Sequence, residues 1–507
     1  MTSVTNKSVT LFDLLTGEEH HPAIVAPKKP SLTYGQLRQQ IIELAAQLNN
    51  FGIGRKSRIA IAMPNSPEMI LTYLAAATCG TAAPLNPKYK QEEFAFYYQD
   101  TQAIALIVLG EGIAAAQAAV TPEMMLIQAI PKSDGTLSLQ KIQGKEYPPR
   151  TIERAESEDV AMILHTSGTT SRPKRVPIKH RNLAASARNI ISTYNLTASD
   201  RALCIMPLFH VHGIVASMLS TLASGGTVIC PTGFNAMEFW RILSELQPTW
   251  YSAVPTMHQL LIARAERNQE AIAASRLRFI RSSSSSLPPI VLERLEATFN
   301  APVLEAYSMT EASHQMTSNP LPPSTRKLGS VGYGFGVEVG IMDEDGNLLS
   351  SGQLGEVVVK GANLFDGYEN NPEANAKAFT HGWFHTGDQG VIDAQGYLSL
   401  TGRIKELINR GGEKISPLEV DNVLLRHAAV AEALSFAVPH KTLGEDIHAA
   451  VVLKDNTVSE QELRKHCSEL LAEFKVPRQL HILEELPRGA TGKLQRLNMA
   501  KLLKLGE

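Results

Sequence analysis

The chain has 507 residues, 44% of them hydrophobic, and a formal net charge of −2. That length predicts about two to four domains or subdomains, and the balanced charge gives no reason to expect nucleic acid or an anionic membrane as partner. Cys79, Cys204, Cys230 and Cys467 form no CxxC pair, which argues against a zinc site or a disulfide framework, and no stretch approaches the ~20 apolar residues of a membrane span; the expectation is a soluble protein of the reducing cytoplasm.

In chain order, residues 58–63 read as strand, 67–79 as helix and 105–109 as strand, with Ser66 a candidate N-cap and Pro67 at the first helical position. Residues 249–254, 255–266, 277–281 and 288–299 then read as strand, helix, strand and helix, an α/β alternation predicting several sheets in a large N-terminal region. From 327 onward glycine punctuates short strands, and Asp345-Gly346 and Gln395-Gly396 mark hairpin turns of a β-rich subdomain. Gly332, Gly334, Gly336 and Gly340 miss the G-x-G-x-x-G spacing and read as turn and strand-packing glycines. After Arg403 a tail of roughly one hundred residues carries its own helix and strand patterns, enough for a small α+β domain.

Residues 166–174 read Thr-Ser-Gly-Thr-Thr-Ser-Arg-Pro-Lys. Hydroxyls of Thr166, Ser167, Thr169 and Thr170, backbone N–H groups exposed at Gly168 and the Lys174 ammonium make an anion cradle suited to the phosphates of ATP. Pro173 stands where a Walker A loop needs glycine, so a P-loop ATPase is disfavoured.

Further blocks follow: Pro207 to Gly213 around His210 and His212, Glu305-Ala306-Tyr307 leading to Thr310-Glu311, Gly355-Glu356, Thr386-Gly387-Asp388, Gly402-Arg403-Ile404-Lys405-Glu406, and the glycine-flanked Lys493. From about residue 30 to the C-terminus this succession resembles the adenylate-forming superfamily of acyl-CoA synthetases, luciferases and adenylation domains, and within it, through Phe279-Ile280-Arg281-Ser282-Ser283 and the segments 306–319 and 404–417, plant and fungal oxalate:CoA ligases. The resemblance implies a large N-terminal adenylation domain, 1–402, and a small mobile C-terminal domain, 403–507, hinged at Lys405. It also implies ATP, Mg²⁺ and coenzyme A as cofactors or co-substrates.

Each block then has a role that suits its chemistry. Lys493 bridges the acid's carboxylate and the α-phosphate, where charge spreads in the transition state. Glu311 holds the metal, Thr310 contacts the α-phosphate, Glu305, Ala306 and Tyr307 flank adenine, Asp388 takes the ribose hydroxyls, and Arg403 adds a ribose or phosphate contact. In a second half-reaction the tail domain rotates, withdrawing Lys493 and presenting Arg410, Gly411, Gly412 and Lys475 to CoA. Where family members carry glycine, this chain has Arg175, which stiffens the phosphate loop, contacts phosphate, or blocks loop closure.

The acyl pocket is expected around His210, residues 254–257, 282–286 and 307–316, where serine and histidine suit a small polar acid better than a fatty chain. Oxalate's second carboxylate is expected to take hydroxyl bonds from Ser283 or Ser285 and a charge-assisted bond from His314, with His210 closing the site; Arg281 either adds a cation or points away on its strand. Malonate, a short hydroxy acid and a hydroxycinnamate follow as alternatives. A freestanding adenylation protein that loads a carrier protein, and a degenerate nucleotide-binding member, remain rival readings. A monomer or small homo-oligomer is expected.

Overall fold

The computed structural model describes residues 9–166, 173–454, 458–488 and 494–505. Two large sheets dominate, one of nine strands and one of seven, each with a parallel centre and antiparallel edges. The layer between them is filled by helices. Pro67–Cys79 is buried along its whole length, as a helix sandwiched between sheets must be, and it starts where Ser66 accepts the Met69 N–H at 3.1 Å. One apolar cluster links both sheets through this layer, joining Ile61 and Leu164 of one to Trp250 and Phe279 of the other. A second cluster, with Tyr251, Ile280 and Leu295, covers the outer face of the nine-stranded sheet.

Strand alternation sorts the side chains of that sheet. In Trp250–Ala253 and Phe279–Ser282, Trp250, Ser252, Phe279 and Arg281 point into the inter-sheet layer, while Tyr251 and Ile280 point outward. The inward set therefore contains an arginine and a serine among aromatics.

A third sheet of five strands spans Val337–Met342 to Leu398–Arg403, with hairpin turns at Gly346 and Gly396. Gly334 lies on its approach, where a Cβ would meet the Val337 carbonyl oxygen at 2.0 Å, so close strand packing requires glycine there. The fourth sheet, again of five strands, belongs to the C-terminal region, with helices Pro417–Arg426 and Glu460–Leu470 against it and its own core. The third sheet ends at Arg403 and the fourth begins with Ile408–Arg410, so Lys405 falls in the single 3-10 turn Ile404–Glu406 that connects them. The Ser416 hydroxyl donates to the Thr401 carbonyl and also caps Pro417–Arg426, tying the second region to the first. Among the described residues no helix is long and apolar enough to cross a membrane.

The expected helix over 255–266 ends earlier, at Ile262, and the chain turns through Ala263 before the 3-10 segment Ala265–Asn268.

Candidate active site

Strands Val160–Thr166 and Lys174–Lys179 form an antiparallel hairpin in which Thr166 lies directly opposite Lys174. The expected phosphate cradle is thus the connection at the turn end of this hairpin. Ser167, Gly168, Thr169 and Thr170 lie outside the described residues, as does Lys493.

Next to the hairpin mouth is Glu311, in the turn that joins Val303–Met309 to His314–Ser318. It is 5% exposed, and its Oε1 accepts the Tyr368 hydroxyl at 2.9 Å and the Thr166 hydroxyl at 3.5 Å. The Lys174 ammonium sits 4.3 Å over the Tyr368 ring. A carboxylate, a hydroxyl and an ammonium thus converge where the loop begins. Thr310, half-buried in the same turn, accepts the Ser313 N–H on its carbonyl at 3.0 Å.

A second group gathers where the third sheet meets this turn. Tyr307 donates its hydroxyl to Asp388 Oδ2, and Arg403 Nε pairs with Asp388 Oδ1 at 3.1 Å. Burial, together with the Asp388 charge, pushes the Tyr307 phenol well above its ordinary range, so it stays a donor. Gly387 precedes Asp388 at φ 73°, and Glu356 accepts its N–H at 2.8 Å, which orients the carboxylate. Glu305 is buried with its carboxylate turned to the serine loop, accepting the Leu287 N–H at 2.9 Å. Ala306, also buried, accepts the Ser283 hydroxyl on its carbonyl at 2.8 Å.

The acyl side holds a buried polar cluster. His212 opens a π-helical segment, His212–Leu219, in which Gly213 is required because a Cβ would meet the Pro207 carbonyl oxygen at 2.3 Å. His212 Nε2 lies 2.6 Å from Ser252 Oγ and its Nδ1 2.9 Å from Ser284 Oγ, while its ring stacks on His314 at 5.0 Å. His210 is half-buried just before this segment. Arg281 is fully buried and donates to Tyr194 Oη at 2.8 Å, Ser252 Oγ at 3.1 Å and Gln315 Oε1 at 3.2 Å.

One expectation is corrected here. His314 is fully buried, and desolvation, with Arg281 and His212 nearby, holds its imidazole well below the ordinary range. It is therefore neutral at physiological pH and offers an ordinary hydrogen bond, not a charge-assisted one. Of the three roles expected for Arg175, stiffening fits its contacts: its guanidinium pairs with Asp100 at 3.2 Å and Glu369 at 3.3 Å at the side of the hairpin.

Of the expected serines, Ser283 is buried and already donates to a main-chain carbonyl, while Ser285 is exposed. The serine that touches His212 is Ser284, which has a left-handed backbone at φ 71°. Ser252 and Ser284 were not singled out by spacing, because a short apolar strand and a five-serine run carry no signal for which hydroxyl turns inward. On the C-terminal domain, Gly411 and Gly412 make a tight turn at φ 64° and 96°. Arg410 pairs with Asp446 at 2.8 Å and Lys475 with Glu419 at 2.8 Å, so both cations are held within that domain in this arrangement.

Comparison with known proteins agrees with the geometry. The AMP-binding enzyme family matches residues 15–369, and the AMP-binding enzyme C-terminal domain matches 419–493. The chain belongs to this family of adenylate-forming enzymes. It is 45% identical over 94% of its length to a probable CoA ligase, CCL9, of Humulus lupulus, of which 93% is covered. It is 44% identical, again over 94% of its length, to an oxalate–CoA ligase of Arabidopsis thaliana, of which 95% is covered. Among solved structures, ATP-bound MatB from Rhodopseudomonas palustris superposes with a TM-score of 0.84 at 29% identity, covering 96% of this chain and 97% of that one. In reaction class the chain is an ATP-dependent, AMP-forming acid:CoA ligase.

Proposed function

We propose that this enzyme is an oxalate:CoA ligase of the cytoplasm. One carboxylate oxygen of oxalate attacks the α-phosphorus of ATP, pyrophosphate leaves, and the CoA thiol then attacks the oxalyl carbonyl carbon and expels AMP. The observation that carries the choice of acid is the cluster of His212, Ser252, Ser284, His314 and Arg281: a polar, cation-containing group whose His314 lies three residues along the chain from Glu311. An alkyl chain would leave the buried His314 nitrogens, which have no hydrogen-bond partner among the described residues, still unpaired, at about 1–3 kcal/mol for each, whereas a second carboxylate accepts the imidazole N–H. The likeness to the Arabidopsis enzyme supports the same acid.

In this reading Thr166, Lys174 and the loop between them hold the β- and γ-phosphates, Tyr307 flanks adenine, Asp388 and Arg403 hold the ribose, and Lys493 joins the acid to the α-phosphate. Glu311 suits Mg²⁺: among the described residues no cluster of three or more metal-binding side chains exists, so phosphate oxygens and water would complete the shell of one buried carboxylate. When bound, the ion neutralises phosphate charge. For thioester formation, Arg410, Gly411, Gly412 and Lys475 meet CoA after the tail domain turns.

A panel of oxalate, malonate, glycolate, 4-coumarate and acetate with ATP, Mg²⁺ and CoA, read by AMP release and thioester mass, tests the proposal. Oxalyl-CoA should form with the highest kcat/KM. Faster turnover of another acid would reassign the substrate, and transfer to a carrier protein but not to CoA would favour the carrier-loading reading.

A further inference from the structure

The guanidinium of Arg281 is buried with no carboxylate within 4.0 Å among the described residues, only the oxygens of Tyr194, Ser252 and Gln315. A guanidinium keeps its charge in a protein interior, and buried charges are normally paired. Among the described residues its surroundings supply dipoles but no counter-charge. An anion arriving nearby would complete the pair.

The hydrogen bonds also have a direction. Arg281 has no acceptor, so at Ser252 it is the donor, and Ser252 Oγ accepts. Ser252 is fully buried, and its own proton has one further partner among the described residues, His212 Nε2 at 2.6 Å. His212 Nε2 is then an acceptor, which puts the ring proton on Nδ1, where it is donated to Ser284 Oγ at 2.9 Å. Ser284 is half-buried, and with its oxygen accepting from His212 its hydroxyl proton is left to donate. Ser284 and His314, which both touch the His212 ring, also share left-handed backbone, φ 71° and 106°. Such strain concentrates at ligand-holding positions.

We propose that Arg281 is a specificity-determining positioning residue: through Ser252 it fixes His212 as the Nδ1–H tautomer, so that Ser284 presents a hydroxyl donor, and its uncompensated charge selects acids that bring a second negative charge. The inference deepens the oxalate reading and rests on it. Arg281 touches neither acid nor ATP; it acts through the two side chains between.

The test compares oxalate with oxamate, a near-isostere lacking the second charge, in acid-dependent ATP–pyrophosphate exchange. Arg281→Gln should lower the oxalate-to-oxamate ratio of kcat/KM at least tenfold, chiefly through the oxalate KM, and Arg281→Lys should restore part of it. A merely structural role lowers both acids together, and an unchanged ratio overturns the proposal. Should Arg281→Gln fail to fold, Ser252→Ala carries the same test, with a fall of threefold or more expected. Histidine-selective ¹⁵N NMR of the wild-type enzyme reads the tautomer directly: a protonated Nδ1 at His212 supports the relay, and a protonated Nε2 overturns it. Wild-type enzyme without oxalate-dependent exchange would instead sink the oxalate reading, before any variant is made.

Discussion

Glu305 lies under the serine loop, and burial pushes its carboxyl up to about 7 against an ordinary value of 4.5, the Leu287 N–H offsetting only part of the desolvation. Between these values the folded chain holds a proton that the unfolded chain has lost. Stability from this group is therefore fully present below about pH 4.5, falls as pH rises toward 7 and is flat above it. The loss is roughly 2–4 kcal/mol at 1.36 kcal/mol per pKa unit. Glu305→Gln keeps the acceptor for Leu287 and removes the titration, so its stability relative to wild type should climb from pH 5 to pH 8 in urea melts. Parallel pH profiles for the two proteins would remove the assignment. The same scale shows what the sequence hides. That serine and histidine gather in a buried polar cluster was legible, but His314's neutrality comes from its burial and from Arg281 and His212 beside it, and the choice of Ser284 over its neighbours from a left-handed backbone that serine seldom adopts.

At the scale of elements, local signals carried far: a serine cap and proline start set the helix Pro67–Cys79, and the strand Ala105–Leu109 and the hairpin turns followed from apolar runs and glycine. Which of its expected roles Arg175 takes was not legible in the chain, because its partners are distant in sequence. On the strand Lys174–Lys179 it faces His165 across the ladder, and His165 Nε2 and the Arg175 guanidinium share Asp100 while Arg58 joins through Glu369. This network braces the hairpin that carries the proposed phosphate loop. Arg175→Gly strips a mostly buried cation from two carboxylates and adds strand flexibility, a loss of about 1–3 kcal/mol once the remaining partners are counted. The expected outcome is a lower Tm with no gain in pyrophosphate exchange. Faster exchange in the variant would restore the idea that Arg175 obstructs the loop.

For the whole molecule, the two half-reactions make incompatible demands on one surface. In the proposed cycle Lys493 neutralises acid and phosphate where the thiol later enters. The two domains each have a core of their own, and their covalent link between the sheets is the short stretch 404–407, with the Ser416–Thr401 bond beside it. So small a junction can re-orient without unfolding either side. Proline at position 405 would fix φ near −65° and remove one N–H, favouring a single arrangement of the domains. Lys405→Pro should therefore separate two rates that normally run together: pyrophosphate exchange, which reports the adenylate step, and thioester formation from preformed acyl-adenylate, which reports the CoA step. A divergence of tenfold or more is expected. Lys493→Ala gives the complementary result, losing the adenylate step while still passing a supplied acyl-adenylate to CoA. If both rates in the proline variant fell by the same factor, rotation about Lys405 would have no part in the cycle, and a fixed arrangement of the domains would have to serve both chemistries.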